Sequence, residues 1–333
     1  MDAFFAQFTG NLKEIFAYIT LRCNMKCLHC YLGEAKQEDM PLKEYTNIVQ
    51  QLVKMGASKL TLLGGEPTLH PLFFKFITVA KKQGVNCVRV DTNGSFNAKI
   101  LEKPVFKLAD ELSFSLEGAN ANTHQAVRPF SNYELLIKNI QKAIRLDYQT
   151  RVTMTVNSLN LNQIIPLVSQ LSDLGVKSLN LHLISENGLA KQNQQLLVSA
   201  KCWIHTRQKL EKELLKFSNI EVKVPFRFIK GQINEQKKTI TCEAVKNSRV
   251  LIMPNLKIYS CPLLLDVGRN FAYFKNGKFF YSTDYQNNIF SPKNVKGSAC
   301  PILTAEHKQK YFQEDTYPVC VSYKYSNKNL CNI

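Results

Sequence analysis

A chain of 333 residues, 45% of them hydrophobic, is long enough to bury one large domain and a small one. Its longest apolar runs are strand-length, and its start, Met1-Asp2-Ala3-Phe4-Phe5, lacks the basic region and apolar core of a signal peptide. On these features no membrane-spanning helix and no signal peptide are expected, and a cytoplasmic protein is predicted. The formal charge of +17 suits an acidic partner, but the lysines are scattered, as at Lys142, Lys177, Lys223, Lys257 and Lys278. No dense basic block of the kind that marks nucleic-acid binding is present, so a nucleic-acid partner is not expected. Ten cysteines in a cytosolic chain argue for thiolate ligands over disulfides.

In chain order, a short extension, 1–13, leads into a strand expected at 14–21. That strand runs into Cys23-Asn-Met-Lys-Cys27-Leu-His-Cys30, three thiols in one short loop. Iron–sulfur clusters are held by cysteine thiolates, and a cubane has four irons, so three ligands leave one iron open. A structural zinc site is the alternative use of such a loop. A helix at 42–55 follows, then a strand at 58–63 that ends in Gly64-Gly65-Glu66-Pro67. Glycine lets a backbone approach a ligand closely, and a carboxylate suits an ammonium group. A helix at 71–83 and a strand at 86–91 lead to Asp91-Thr92-Asn93-Gly94. The strand at 111–117 carries Ser113-Phe-Ser115-Leu-Glu117-Gly118, with His124 and Arg128 beyond it. A helix at 133–146, a strand at 151–157 ending at Asn157, a helix at 161–174 and a strand at 178–184 complete the alternation, and Ser185 to Ala190 form the next loop.

Gly56, Gly84 and Gly175 sit where helix-terminating glycines belong, and Asn160 and Ser131 or Asn132 are candidate N-caps. The strands are rich in Val, Ile, Leu and Phe, as parallel strands buried on both faces should be. Six βα units predict an α/β fold with a parallel sheet. Ligands of such sheets bind at the C-terminal strand ends, where every motif above falls. A long helix at 196–217 carries Cys202, Trp203 and His205. The alternation stops near Val224-Pro225, which places a domain boundary between 220 and 240.

The CxxxCxxC loop, with His29 in the aromatic slot before its last cysteine and Tyr31 after it, resembles the cluster loop of the radical S-adenosylmethionine (SAM) superfamily. The Gly-Gly-Glu-Pro motif and the later strand-end motifs resemble that family in the same order, over residues 14 to 265. Glu117 stands where aspartate is commoner. The resemblance implies a six-stranded parallel partial TIM barrel, (βα)6, at 14–225. It implies a [4Fe–4S] cluster with an open iron, held by Cys23, Cys27 and Cys30, and SAM as its ligand. By the same resemblance Gly64, Gly65, Glu66 and Pro67 serve the methionyl amino group of SAM, with Glu66 as its carboxylate partner. Asn93 and Ser115 serve the sugar and carboxylate region, and Asn157 the ribose or carboxylate; strand-end capping is the alternative for these three. Arg128 is read as a carboxylate clamp or a structural ion pair, His124 as structural, and His29 as packing in the loop.

The last segment, 226–333, holds Cys242, Cys261, Cys300, Cys320 and Cys331. Asn255 to Pro262 reads as a hairpin turn feeding a cysteine and resembles the segment before the second ligand of SPASM and twitch domains, small cysteine-rich domains with auxiliary clusters. The resemblance implies one auxiliary [4Fe–4S] cluster, on Cys242, Cys261, Cys300 and Cys320, with Cys331 an alternative to either of the last two. The other reading makes these small buried hydrophobes or a zinc site. Cys87, within a strand, is read as core. Cys202 and Cys331 are read as inert thiols or hydrogen-atom donors to a product radical.

The resemblance implies reductive cleavage of SAM to a 5′-deoxyadenosyl radical, fed by a flavodoxin- or ferredoxin-type donor. The substrate expected first is a ribosomally made peptide, to be crosslinked or epimerised. A small metabolite such as an aminoglycoside-type sugar, to be oxidised, decarboxylated or epimerised, is the alternative. RNA modification is encouraged only by charge, and a non-catalytic iron–sulfur or zinc module is the reading from another class. The 13-residue extension is too short for a leader-binding domain, so a peptide would be recognised at the barrel mouth or by a separate partner.

Overall fold

The structure is a computed structural model, and it describes residues 8, 10–224, 226–230, 244, 246–282 and 316–320, with 226–230 and 316–320 as backbone. All six expected strands form: β1 (Glu14–Thr20), β2 (Lys59–Gly64), β3 (Cys87–Thr92), β4 (Glu111–Ser115), β5 (Gln149–Val156) and β6 (Ser178–Leu183). Each pairs in parallel with the next. Two further strands extend the parallel run. β7 (Glu221–Lys223) pairs with β6, and β9 (Arg249–Ile252) pairs with β1 at the other side. An antiparallel meander of β10 (Lys257–Tyr259), β11 (Ala272–Lys275) and β12 (Lys278–Tyr281) continues from β9, so one sheet runs β12-β11-β10-β9-β1-β2-β3-β4-β5-β6-β7. β8 (Phe226–Lys230) and β13 (Thr316–Cys320) form a separate antiparallel pair.

The five expected helices stand near their places, the last of them shorter than expected, and a short α3 was not expected: α1 (Leu42–Lys54), α2 (Phe73–Lys82), α3 (Ala121–Val127), α4 (Tyr133–Arg145), α5 (Ile164–Leu174) and α6 (Ala200–Glu213). Their apolar stripes bury Ile48, Val49 and Leu52 from α1, Phe76 and Ile77 from α2, Leu136 and Ile140 from α4, and Leu167 and Leu171 from α5. Asn132 caps α4, accepting from Leu135 N–H at 2.9 Å, and Gly175 ends α5 in the left-handed region at φ 82°. Asn160 stands at the N-cap position of the short turn Leu161–Gln163 that leads into α5, but its side chain makes no capping bond there. Its Oδ1 accepts from Asn157 N–H, and its Nδ2 donates to the carbonyls of Glu117 and Thr155, so it ties the ends of β4 and β5 together.

The expectation of strands buried on both faces holds for β2 and β4, whose central residues are all buried, and fails for β3 and β5. β5 alternates, with Val152, Met154 and Val156 fully buried against the helices and Arg151, Thr153 and Thr155 half-buried on the other face. β3 does the same, with Val88 and Val90 facing out and Arg89 and Asp91 facing in. The reason is curvature: closing a parallel sheet toward a barrel encloses its inner face, and here that face is lined with polar side chains. Cys87 belongs to this face. It is half-buried beside Glu111 and Lys59, not in the apolar core, and burial together with the Glu111 charge raises its thiol pKa.

Candidate active site

The inner face carries a layer of ion pairs near the N-terminal half of the strands. Glu111 joins Lys59 at 3.3 Å and Arg151 at 3.2 Å. Arg89 joins Asp91 at 2.9 Å and reaches Glu14 at 3.8 Å, and Thr61 donates to Glu14 at 3.1 Å. Toward the C-terminal ends stand Tyr18, Asp91, Ser115, Thr155 and His182. Burial raises the Asp91 carboxyl above its ordinary value, with the Arg89 charge opposing, and burial lowers His182 to about 4. His182 is exposed to solvent on this inner face, beside Asn180. Sequence reading missed Tyr18, Arg89 and His182. The signal that could have found them is the alternation of Cys-Val-Arg-Val-Asp and Ser-Leu-Asn-Leu-His-Leu.

The cysteine loop lies across the end of β1. Tyr18 OH and Tyr31 OH share a hydrogen bond of 2.9 Å with their rings edge to face, which links the loop to the inner face. The loop is pinned from several sides. Leu28 N–H donates to Val127 carbonyl, Leu189 N–H to Cys30 carbonyl, and Asn193 Nδ2 to Leu28 carbonyl. Gly188, at φ 55°, packs so closely that a Cβ there would collide with the Cys30 carbonyl and the Tyr31 backbone. The 185–190 segment is therefore a clamp on the cysteine loop.

Each thiol is met by N–H groups. Cys23 accepts from the Met25 peptide and has the Asn93 amide at 4.0 Å; Cys30 accepts from the Leu32 and Gly33 peptides; Cys27 accepts from Arg128 at 3.4 Å. Burial, then the neighbouring thiolates and Glu66, push the Cys23 thiol up to about 11, and burial pushes Cys30 up too. Desolvated thiols crowded together are unfavourable as bare anions and become favourable when they share a cationic group. This donor set suits an iron–sulfur cluster, whose sulfurs are tuned by N–H donors. Among the described residues no three His, Cys, Asp or Glu side chains already converge as for a single metal ion.

The Gly-Gly-Glu-Pro turn is built against the start of the same loop. A Cβ on Gly64 would strike the Thr20 carbonyl and one on Gly65 the Arg22 carbonyl, while Gly65 and Glu66 donate backbone N–H bonds to those carbonyls at 2.9 and 2.7 Å. The backbone that these glycines admit is therefore the chain's own. Glu66 is fully buried. Its Oε1 accepts from Thr68 N–H and the hydroxyls of Thr68 and Thr92, and its Oε2 from Asn93 N–H at 2.8 Å. Burial raises its carboxyl and these bonds oppose the rise. Pro67 opens the short turn that follows. Asn93 links this turn to the cysteine loop, donating to Asn24 Oδ1 at 2.8 Å. Asn157 is buried and caps its own strand end, bonding Thr155 carbonyl and Leu159 N–H. Ser115 closes β4, half-buried.

Behind the loop, Arg128 binds Glu117 through Nε and Nη2 at 2.9 and 2.8 Å, which is the ion pair, the second of the two roles open to it. Burial lowers its pKa, but the Cys27 thiol and Glu117 raise it above the ordinary arginine value. His29 Nε2 stands 3.5 Å from Glu117, but burial and then the Arg128 charge hold its pKa well below 6.5, so the ring is neutral. His124 accepts from Glu117 N–H through Nδ1, and burial, then Arg128, lower its pKa to about 4.

The Asn255 to Pro262 segment is a hairpin as expected: β9 and β10 pair through a turn with Leu256 at φ 63°. Cys261 is buried beside Tyr18, Leu63, Leu251, Met253, Tyr259 and Leu264. Cys242, Cys300 and Cys331 lie outside the described residues, and of Cys320 only the backbone is described. Cys202 is exposed on α6.

With this geometry in place, comparison with known proteins is decisive for the family. The family described as the Radical SAM superfamily matches residues 17–183. The chain belongs to the radical SAM superfamily. It is 26% identical over 218 residues to the AdoMet-dependent heme synthase of Methanosarcina barkeri, covering 62% of this chain and 62% of that protein. It is 25% identical over 153 residues to the mycofactocin maturase MftC of Mycolicibacterium smegmatis, 44% of this chain and 38% of that one. The chain thus spans less than two thirds of both relatives. In fold it is similar to Streptococcus suis SuiB, solved bound to the precursor peptide SuiA, with a TM-score of 0.72, 15% identity, and coverage of 92% of this chain and 75% of SuiB. Among the described residues no helix is long and apolar enough to cross a membrane.

Proposed function

We propose that the chain is a radical SAM enzyme that modifies a ribosomally made peptide, by crosslinking or epimerising a residue held at the inner face of the barrel. The observation that carries the chemistry is the three-thiol loop, in which every sulfur already meets N–H donors. Cys23, Cys27 and Cys30 hold a [4Fe–4S] cluster with an open iron. When bound, cluster and SAM together supply a 5′-deoxyadenosyl radical able to take a hydrogen atom from an unactivated carbon. The residues here bind and orient. The Gly64 to Pro67 turn and Asn93 line the side of the loop where SAM docks. With its carboxylate accepting four hydrogen bonds from the chain, Glu66 acts first as the brace of that turn. Ser115 and Asn157 stand at the neighbouring strand ends. Tyr18, Asp91 and His182 face the substrate below.

The likeness to SuiB, a protein solved with a precursor peptide, favours the peptide. The relation to a heme synthase favours the second reading, a small metabolite instead of a peptide. Residues 226–333 form the auxiliary-cluster domain on this reading, with Cys242, Cys261, Cys300 and Cys320 as ligands and Cys331 as the alternative. A flavodoxin- or ferredoxin-type protein supplies electrons.

The test uses anaerobically reconstituted protein with dithionite and SAM, comparing wild type with the Cys23/Cys27/Cys30 triple alanine variant. About eight irons against about four, with 5′-deoxyadenosine from wild type alone, is the expected result. About four irons against none would remove the auxiliary cluster. Deoxyadenosine from the triple variant at the wild-type rate would overturn the assignment.

A further inference from the structure

Arg128 ends α3 and reaches back into the cysteine loop, where its Nη1 donates to Cys27 Sγ at 3.4 Å. Its other two nitrogens grip one oxygen of Glu117. Glu117 is itself held rigidly. Its second oxygen accepts from Thr155 N–H at 2.8 Å, its backbone N–H donates to His124, and its carbonyl accepts from Asn160. The guanidinium is thus fixed by β5 and α3 and aimed at one sulfur of three. Cys23 and Cys30 meet neutral amides instead. Because the guanidinium is committed to Glu117 and Cys27, it is poorly placed to clamp a ligand carboxylate.

A fixed positive charge on a cluster ligand favours the reduced cluster, which carries one more negative charge. Hydrogen bonds to sulfur and net charge are among the groups' main levers on iron–sulfur potentials. We propose that Arg128 is a tuning residue that raises the reduction potential of the cluster bound through Cys27, and that Glu117 moderates the effect by neutralising part of its charge. The proposal rests on the reading that Cys23, Cys27 and Cys30 hold a cluster. The step concerned is the transfer of one electron from an external donor, with no bond formed or broken. Easier reduction is useful in a site whose cluster must be charged before SAM is cleaved.

The experiment is a redox titration of reconstituted protein, following the spin signal of the reduced cluster, with the triple alanine variant as background and iron counted in each sample. Arg128→Gln is expected to lower the reduced-to-oxidised ratio at fixed potential about tenfold, a shift of about 59 mV to more negative values for a one-electron couple. Glu117→Gln is expected to shift it the other way, and Arg128→Lys, which keeps the charge but loses the fork, to fall between wild type and Arg128→Gln. Loaded variants with the wild-type midpoint, or Gln variants shifting in the same direction, would overturn the proposal. Should Arg128→Gln fail to load iron, Arg128→Lys and Glu117→Gln decide: an unchanged midpoint in both makes Arg128 an anchor of the loop only. A wild type that binds no iron removes the reading beneath the proposal and the proposal with it. A loaded wild type with unshifted variants removes the proposal alone.

Discussion

Leu181 and His182 are neighbours on β6, and their side chains meet opposite surroundings. Leu181 is fully buried among the residues that pack sheet against helices, while His182 stands on the inner face within hydrogen-bond reach of Asn180 at 2.7 Å. The same division runs along β3 and β5, where one face is Val and Met and the other Arg, Asp and Thr. The outer face is where apolar area leaves water, which is worth about 1.5–3 kcal/mol for each fully buried large side chain. The inner face gives up that gain. Its charges are kept in place by pairing, and buried pairs at best offset their own desolvation. A sheet that spends half its surface this way is built for a ligand, and stability is supplied by the helix side. The comparison teaches that in this chain the strand period, and not the count of apolar residues, separates what folds the protein from what it acts with.

The largest effect that would break this division is on the outer face. Leu181→Ala removes a fully buried side chain from the helix-facing core and is expected to cost about 2–5 kcal/mol of unfolding free energy, read from the denaturant midpoint. A loss below about 1 kcal/mol would mean that β6 is not held by its helix-facing side. Next in size is an effect of pH on the polar side. His124 is fully buried and neutral, its pKa lowered by burial and the Arg128 charge from an ordinary 6.5 to about 4. Between those two values the unfolded chain takes up a proton that the folded chain refuses, so stability rises with pH there. It is complete above pH 6.5 and falls as acid is added, by about 3 kcal/mol in all. Iron-free protein titrated from pH 7 to 4 should show this slope. His124→Gln, which keeps an acceptor for Glu117 N–H, should flatten it by up to one proton, and identical slopes would contradict the buried neutral imidazole.

Much of the frame was legible in the sequence. Six strands and the main helices stand within a few residues of their expected places, because turn glycines and the 3.6-residue period of α1, α2, α4 and α5 report directly on local physics. The cysteine loop and the Gly64 to Pro67 turn were legible as motifs, and the structure brings them together through Thr20, Arg22 and Asn93. Partnerships formed across the fold were not legible. Nothing local in the sequence tells that Arg128 reaches Cys27 across about a hundred positions, or that the space around Gly64 and Gly65 is filled by the strand before them. β9 was missed for a related reason. Its pairing with β1 joins segments more than two hundred residues apart, as in Glu14 with Arg249, and a four-residue strand carries too short a pattern to announce it.

The smallest expected effect is the sharpest test of the two faces. His182→Gln changes the residue beside Leu181, keeps a polar side chain of similar reach, and leaves Asn180 a partner. The imidazole is already neutral at pH 7, so no charge is lost and no ion pair is broken. A solvent-exposed group also leaves no dry void when it is reshaped, because water can fill the difference. The expected change in unfolding free energy is therefore under about 1 kcal/mol, the range of substitutions outside packed cores. Measured beside Leu181→Ala in the same denaturant series, the two adjacent positions should differ several-fold. If His182→Gln instead costs as much as Leu181→Ala, the inner face is a second packed core, and the cavity that Tyr18, Asp91 and His182 are proposed to offer a substrate does not exist.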